Sequence, residues 1–136
     1  MTPDRHPAVV IAGYPVLTSH ATAAEDIGAL WAKVQASGLL ADAEPWMIYD
    51  QYRDGTYRAL LGKRLEPGEA TPEGLLRLEL PAQEGVSVRS PAEPEALIET
   101  WETIWSHWPN GEHRAFVADI EHWSSDGIHI FIGLEE

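Results

Sequence analysis

A chain of 136 residues is the usual size of one compact domain, and its 22 acidic against 9 basic residues give a net charge of −13 that repels nucleic-acid phosphates and anionic lipid surfaces. Cysteine is absent, which excludes disulfides, thiolate catalysis and cysteine-based metal centres. No targeting segment opens the chain and no apolar run approaches the roughly 20 residues of a membrane span, so the expected location is cytoplasmic, with no membrane partner.

Residues 8–20 (AVVIAGYPVLTSH) are rich in Val and Ile and broken by Gly13 and Pro15, which predicts a strand with a bulge or a sheet-edge position. Thr22 followed three residues later by Glu25 has the pattern of a capping box and predicts a helix start. Ile27, Leu30, Trp31 and Val34 then recur on one helical face, and Ser37-Gly38 supplies the stop. Residues 46–52 (WMIYDQY) and 57–63 (YRALLGK) flank an Asp54-Gly55 pair and predict an antiparallel hairpin. The Pro- and Gly-rich stretch 66–74 joins two halves of one domain.

Beyond it, residues 75–80 and 85–90 predict strands. Ser90-Pro91-Ala92-Glu93 repeats the capping-box pattern with Pro91 at the first helical position. Leu97, Trp101, Ile104, Trp105 and Trp108 form one face of a second helix, closed by Pro109-Asn110-Gly111. Residues 114–123 and 128–134 read as a final hairpin. The same series of strand, helix, strand, strand thus occurs twice, as pseudo-repeats at about 8–66 and 75–136 within a single domain spanning 1–136. In this pattern Tyr49-Asp50-Gln51-Tyr52 corresponds to Ile120-Glu121-His122-Trp123. The predicted class is α+β: duplicated βαββ units pair into one antiparallel sheet, with two helices on one face and a ligand cleft between them.

Phe116-Val-Ala-Asp119-Ile-Glu121-His-Trp123 and Ile128-His-Ile-Phe131-Ile-Gly133-Leu, supported by Leu30-Trp31 and Ile104-Trp105, resemble motifs of the gyrase-inhibitor-like (GyrI-like) small-molecule-binding family. That family includes effector-binding domains of AraC- and MerR-type regulators and free-standing integron-associated effector-binding proteins. The resemblance implies a cavity between helices and sheet with Glu121 inside it, meeting cationic or polar parts of a ligand. Trp123 and Phe131 stand where relatives often carry Tyr, and no DNA-binding helix pair is expected ahead of the domain.

Strand alternation places Val117, Asp119, Glu121 and Trp123 on one side and Phe116, Ala118, Ile120 and His122 on the other. A carboxylate among apolar groups costs several kcal/mol to bury unless a cation or donors compensate it. The alternative reading has Glu121 facing solvent or paired with Arg114 or Arg58. Trp31, Trp101, Trp105 and Trp108 divide between core and ligand, and Tyr49 and Tyr14 offer hydroxyls at the pocket wall. The expected ligand site is Glu121, Trp123, Trp105, Trp101, Trp31, Tyr49, Tyr14 and Phe131.

The six His are scattered without metal-binding spacing, phosphate-binding glycine loops are missing, and no nucleophile motif occurs, so neither metal nor cofactor is expected. The leading expectation is a non-catalytic binder of hydrophobic, cationic organic molecules, acting as sensor or sequestering protein. One alternative is a hydrolase of reactive cyclopropane-type compounds with Glu121 as general acid or base; another is a module that docks a basic protein such as a regulator or gyrase. Ligand identity and oligomeric state are not legible in the residues.

Overall fold

The computed structural model describes residues 1–108 and 113–135. Among them the elements run β1 (Thr2–His6), β2 (Val9–Ser19), α1 (Ala23–Ser37), β3 (Trp46–Arg53), β4 (Thr56–Leu65), β5 (Leu76–Leu80), β6 (Gln83–Ser90), α2 (Pro94–His107), β7 (Arg114–Ser124) and β8 (Gly127–Leu134). The described strands form one antiparallel sheet in the order β1-β6-β8-β7-β3-β4-β2-β5. Leu30 and Val34 of α1 pack on Met47, Ala59 and Leu61, and Ile104 of α2 packs on Ile128, Ile130 and Ile132. Both helices therefore cover the same face, as the α+β expectation has it.

The strand order is symmetric about the β3–β7 junction. Each half also contributes its leading strand to the other: β1 precedes β2 but pairs with β6, and β5 precedes β6 but pairs with β2. Only Pro7 and Ala8 separate β1 from β2, although the two strands lie near opposite ends of the sheet. Three residue steps reach at most about 11 Å, so the sheet must curl until its edges approach, and the short β5–β6 link imposes the same closure. The inside of the curl holds a second core without a helix over it, in which Ile11, Ile48, Leu60 and Ile120 are almost fully buried. Each such side chain stabilises the fold by about 1.5–3 kcal/mol.

Several local expectations are corrected. Residues 2–6 form a strand that their composition does not announce; its partner on β6 supplies the reason. Helix α1 starts at Ala23 after Thr22, but no side-chain cap bond forms, and Asp26 instead accepts the Thr18 hydroxyl at 2.9 Å. Helix α2 begins at Pro94, not Pro91, because the Ser90 hydroxyl turns to the Pro91 carbonyl. The stop proposed at Pro109-Asn110-Gly111 lies outside the described residues. Strand β2 runs unbulged, and because β5 flanks it only as far as Gly13, the sheet-edge alternative holds at Pro15; Gly13 itself faces Gly62 of β4, where backbones approach too closely for a Cβ on either residue. Pro15 sits beyond the last residue that β5 pairs, so its missing N–H removes no bond on that side. The Asp54-Gly55 hairpin is as expected, with both residues at positive φ (50° and 81°).

Candidate ligand-binding site

Where β3 and β7 meet at the centre of the sheet, the two helices stand apart over a cavity of about 600 Å³. Tyr49 and Tyr52 of β3, Tyr57 of β4 and Glu121 of β7 line it from the sheet, Ile27 from α1, Leu97, Trp101 and Trp105 from α2, and Trp108 from the residue that caps α2. The exposed side chains of Ile98, Trp105 and Phe116 lie at its mouth. Such a lining offers ring faces and aliphatic surface with few polar groups, the usual character of a site for a small organic molecule.

Glu121 is 1% exposed. Its Oε2 accepts the indole N–H of Trp101 at 2.7 Å and the hydroxyl of Tyr49 at 3.0 Å, and its Oε1 accepts the indole N–H of Trp123 at 3.1 Å. The donors come from α2, β3 and β7, so the carboxylate ties three elements together. None of them carries a charge. Both cations considered as partners are engaged elsewhere: Arg58 forms a two-pronged bond to Asp50 at 2.8 and 2.7 Å, and Arg114 bonds Asp119 at 2.5 Å. Burial pushes the Glu121 carboxyl above its ordinary pKa, with the three donors acting in the opposite direction. Burial and the neighbouring carboxylate also hold the Tyr49 hydroxyl in its protonated, donating form.

Of the expected residues, Glu121, Tyr49, Trp101 and Trp105 come together at the cavity. Trp123 holds Glu121 from outside the lining, and Trp31 stands against Trp123 with ring centroids 4.9 Å apart. Tyr14 belongs to the packing under α1, with the Lys33 ammonium 4.7 Å from its ring centre, and does not line the cavity. Phe131 lies on the opposite face of the sheet in the second core, against His6, because alternation along β8 turns Ile130 and Ile132 toward the helices. The proposed equivalence of Asp50 with Glu121 also fails. Ile48 pairs with Ile120 at the centre of the β3–β7 register, and about that pair Tyr49 occupies the position of Glu121.

Tyr52, Tyr57, Arg114 and Phe116 were not anticipated. Backbone bulges hid two of them: Gln51 (φ 54°) resets the alternation of β3 so that Tyr52 follows Tyr49 to the cavity side. Phe116 (φ 53°) sits in an irregularity of β7 that brings its ring to the cavity instead of the side of Ala118 and Ile120.

Sheet, helices and cavity define a class of α+β proteins built from two like halves around an aromatic chamber with a carboxylate at its base. The chain belongs to the family of integron-associated effector-binding proteins (Cass2), whose sequence profile matches residues 5–134. It is similar in fold to an integron cassette protein from the mobile metagenome of Vibrio cholerae (19% identity, TM-score 0.80, covering 98% of this chain and 95% of that one). It is likewise similar to SAV2435, solved bound to tetraphenylphosphonium (14% identity, TM-score 0.79, 98% and 93% covered). The C-terminal domain of EcmrR shares the fold at 10% identity and a TM-score of 0.62, with 99% and 96% covered. No curated protein is significantly similar in sequence. None of the described helices is long and apolar enough to cross a membrane.

Proposed function

We propose that the protein binds hydrophobic organic cations in this cavity, as one effector-binding unit in which Glu121 supplies the charge and the surrounding rings supply contact area. The observation that carries this reading is a carboxylate, almost wholly buried, held by three neutral donors and facing a largely aromatic and aliphatic chamber, with no cation bonded to it among the described residues; Arg114, which also lines the chamber, is paired with Asp119. Its burial has been offset by hydrogen bonds but not by charge, so an entering cation gains the ion pair without displacing a resident one. Tyr49, Tyr57, Trp101 and Trp105 add ring faces, each worth about 0.5–2 kcal/mol to a cation placed over it. The tetraphenylphosphonium bound to SAV2435 supports the same ligand class.

Titration of the intrinsic Trp fluorescence with tetraphenylphosphonium and with tetraphenylborate, equal in shape and opposite in charge, tests the reading. Saturable quenching by the cation alone is expected, weakened tenfold or more, about 1.4 kcal/mol, in Glu121→Gln. Equal binding of both ions, or of the cation by both proteins, would overturn it. The raised Glu121 carboxyl also favours a second reading, in which it acts as general base toward a reactive small molecule. Product analysis after incubation with strained-ring electrophiles separates the two, since a binder leaves them unchanged.

A further inference from the structure

The cavity holds a second charged group that the binding of a simple cation does not use. Arg114 lines it, with its side chain only 7% exposed, and its guanidinium lies 4.4 Å from the ring centre of Phe116 at the mouth. A guanidinium carries five N–H donors. Among the described residues one side-chain bond is made, from Nη2 to Asp119, which leaves further donors of the guanidinium for a ligand; the Nε–H also lacks a partner but is shut off from the cavity surface. Asp119, which also accepts the Tyr52 hydroxyl at 2.5 Å, stands behind Arg114 outside the cavity lining and fixes the guanidinium in place.

We propose that Arg114 is a second recognition point in the cavity, taking an oxygen acceptor, a carboxylate above all, on the same ligand whose cation meets Glu121. The inference rests on the binding reading above and narrows it to aromatic cations that also carry an acceptor. Residues 119 and 121 lie on the same face of β7, about 6.6–6.8 Å apart along the strand. Since Arg114 is held at Asp119, the two recognition points belong to neighbouring positions of one cavity wall, close enough for a single aromatic ligand to meet both. A phosphonium that carries a carboxylate on one of its rings presents both complementary groups on one rigid frame. Arg114 supplies charge-assisted bonds, which are roughly twice as strong as neutral ones. Asp119 already balances its charge, so an incoming carboxylate is recognised by directed donors in a chain whose overall charge of −13 would otherwise repel it.

The test compares tetraphenylphosphonium with (4-carboxyphenyl)triphenylphosphonium by calorimetric titration. The carboxylated ion should bind about tenfold more tightly, equivalent to about 1.4 kcal/mol. That preference should vanish when Arg114→Met and Asp119→Asn are introduced together, a pair chosen so that neither charge is stranded. If the carboxylated ion binds no better than the parent, or if the preference survives in the double variant, the Arg114 proposal is wrong and the Glu121 reading stands. If the parent ion itself does not bind, both fall. Should the double variant fail to fold, the comparison in the unaltered protein still decides between preference and none.

Discussion

At the scale of single residues the molecule turns on the electrostatics of Glu121. Its folded-state pKa is raised by burial, so the folded chain favours the protonated carboxyl more than the unfolded chain does. Stability from this group is complete below the unfolded value near 4.3 and is lost as pH rises through the folded value. Glu121→Gln has no such loss. The melting temperature of the variant relative to the native chain should therefore rise between pH 4 and pH 8. Thermal melts at the two pH values check this, and a pH-independent difference would contradict it. Binding has the opposite sign: a cation needs the ionised form, so affinity for tetraphenylphosphonium should fall as pH is lowered, starting above the range of an ordinary glutamate. Stability and binding thus pull against one another at one side chain.

At the scale of elements, backbone irregularities set the cavity wall and backbone proximity sets the sheet. The positive φ values at Gln51 and Phe116 have no glycine to announce them, and each changes which neighbours reach the cavity. Gly13 and Gly62 act differently. They oppose one another across β2 and β4, and a Cβ at Gly62 would lie 1.9 Å from the Ala12 carbonyl oxygen. Gly62→Ala should cost about 3 kcal/mol by forcing the paired strands β2 and β4 apart. A lowered urea midpoint with an unchanged slope is the expected signature. The helices also differ: α1 buries Leu30 and Val34, whereas α2 buries Ile104 alone and presents Trp101 and Trp105 to the cavity. In α2 the large apolar residues that a folding argument assigns to core are the wall of a chamber.

At the scale of the whole molecule, the exchanged strands β1 and β5 curl the sheet so that one face closes on itself. This frees both helices for the other face, where standing apart leaves room for a ligand. The net charge of −13 acts over the same scale and is screened by salt, with a Debye length of about 10 Å at 0.1 M and 3 Å at 1 M. A buried ion pair is screened much less. If Glu121 carries recognition, the affinity for tetraphenylphosphonium should change less than about threefold between 0.1 and 1 M sodium chloride. A drop of ten times or more would assign the attraction to the surface as a whole.

The α+β class, the duplicated order of elements, the hairpin at Asp54-Gly55 and the placement of Glu121 inside were legible in the residues, because periodicity, turn chemistry and a motif are local properties of a chain. The donors that hold Glu121 were legible only as candidates, since Tyr49, Trp101 and Trp123 come from three separate elements. Strand β1, the closure of the second core around Phe131 and the arrival of Tyr52, Phe116 and Arg114 at the cavity were decided by tertiary structure. Each depends on a pairing register, a bulge or a chain crossing that brings distant segments together, and those are set by the energy of the assembled sheet, not by the preference of any residue for its own conformation.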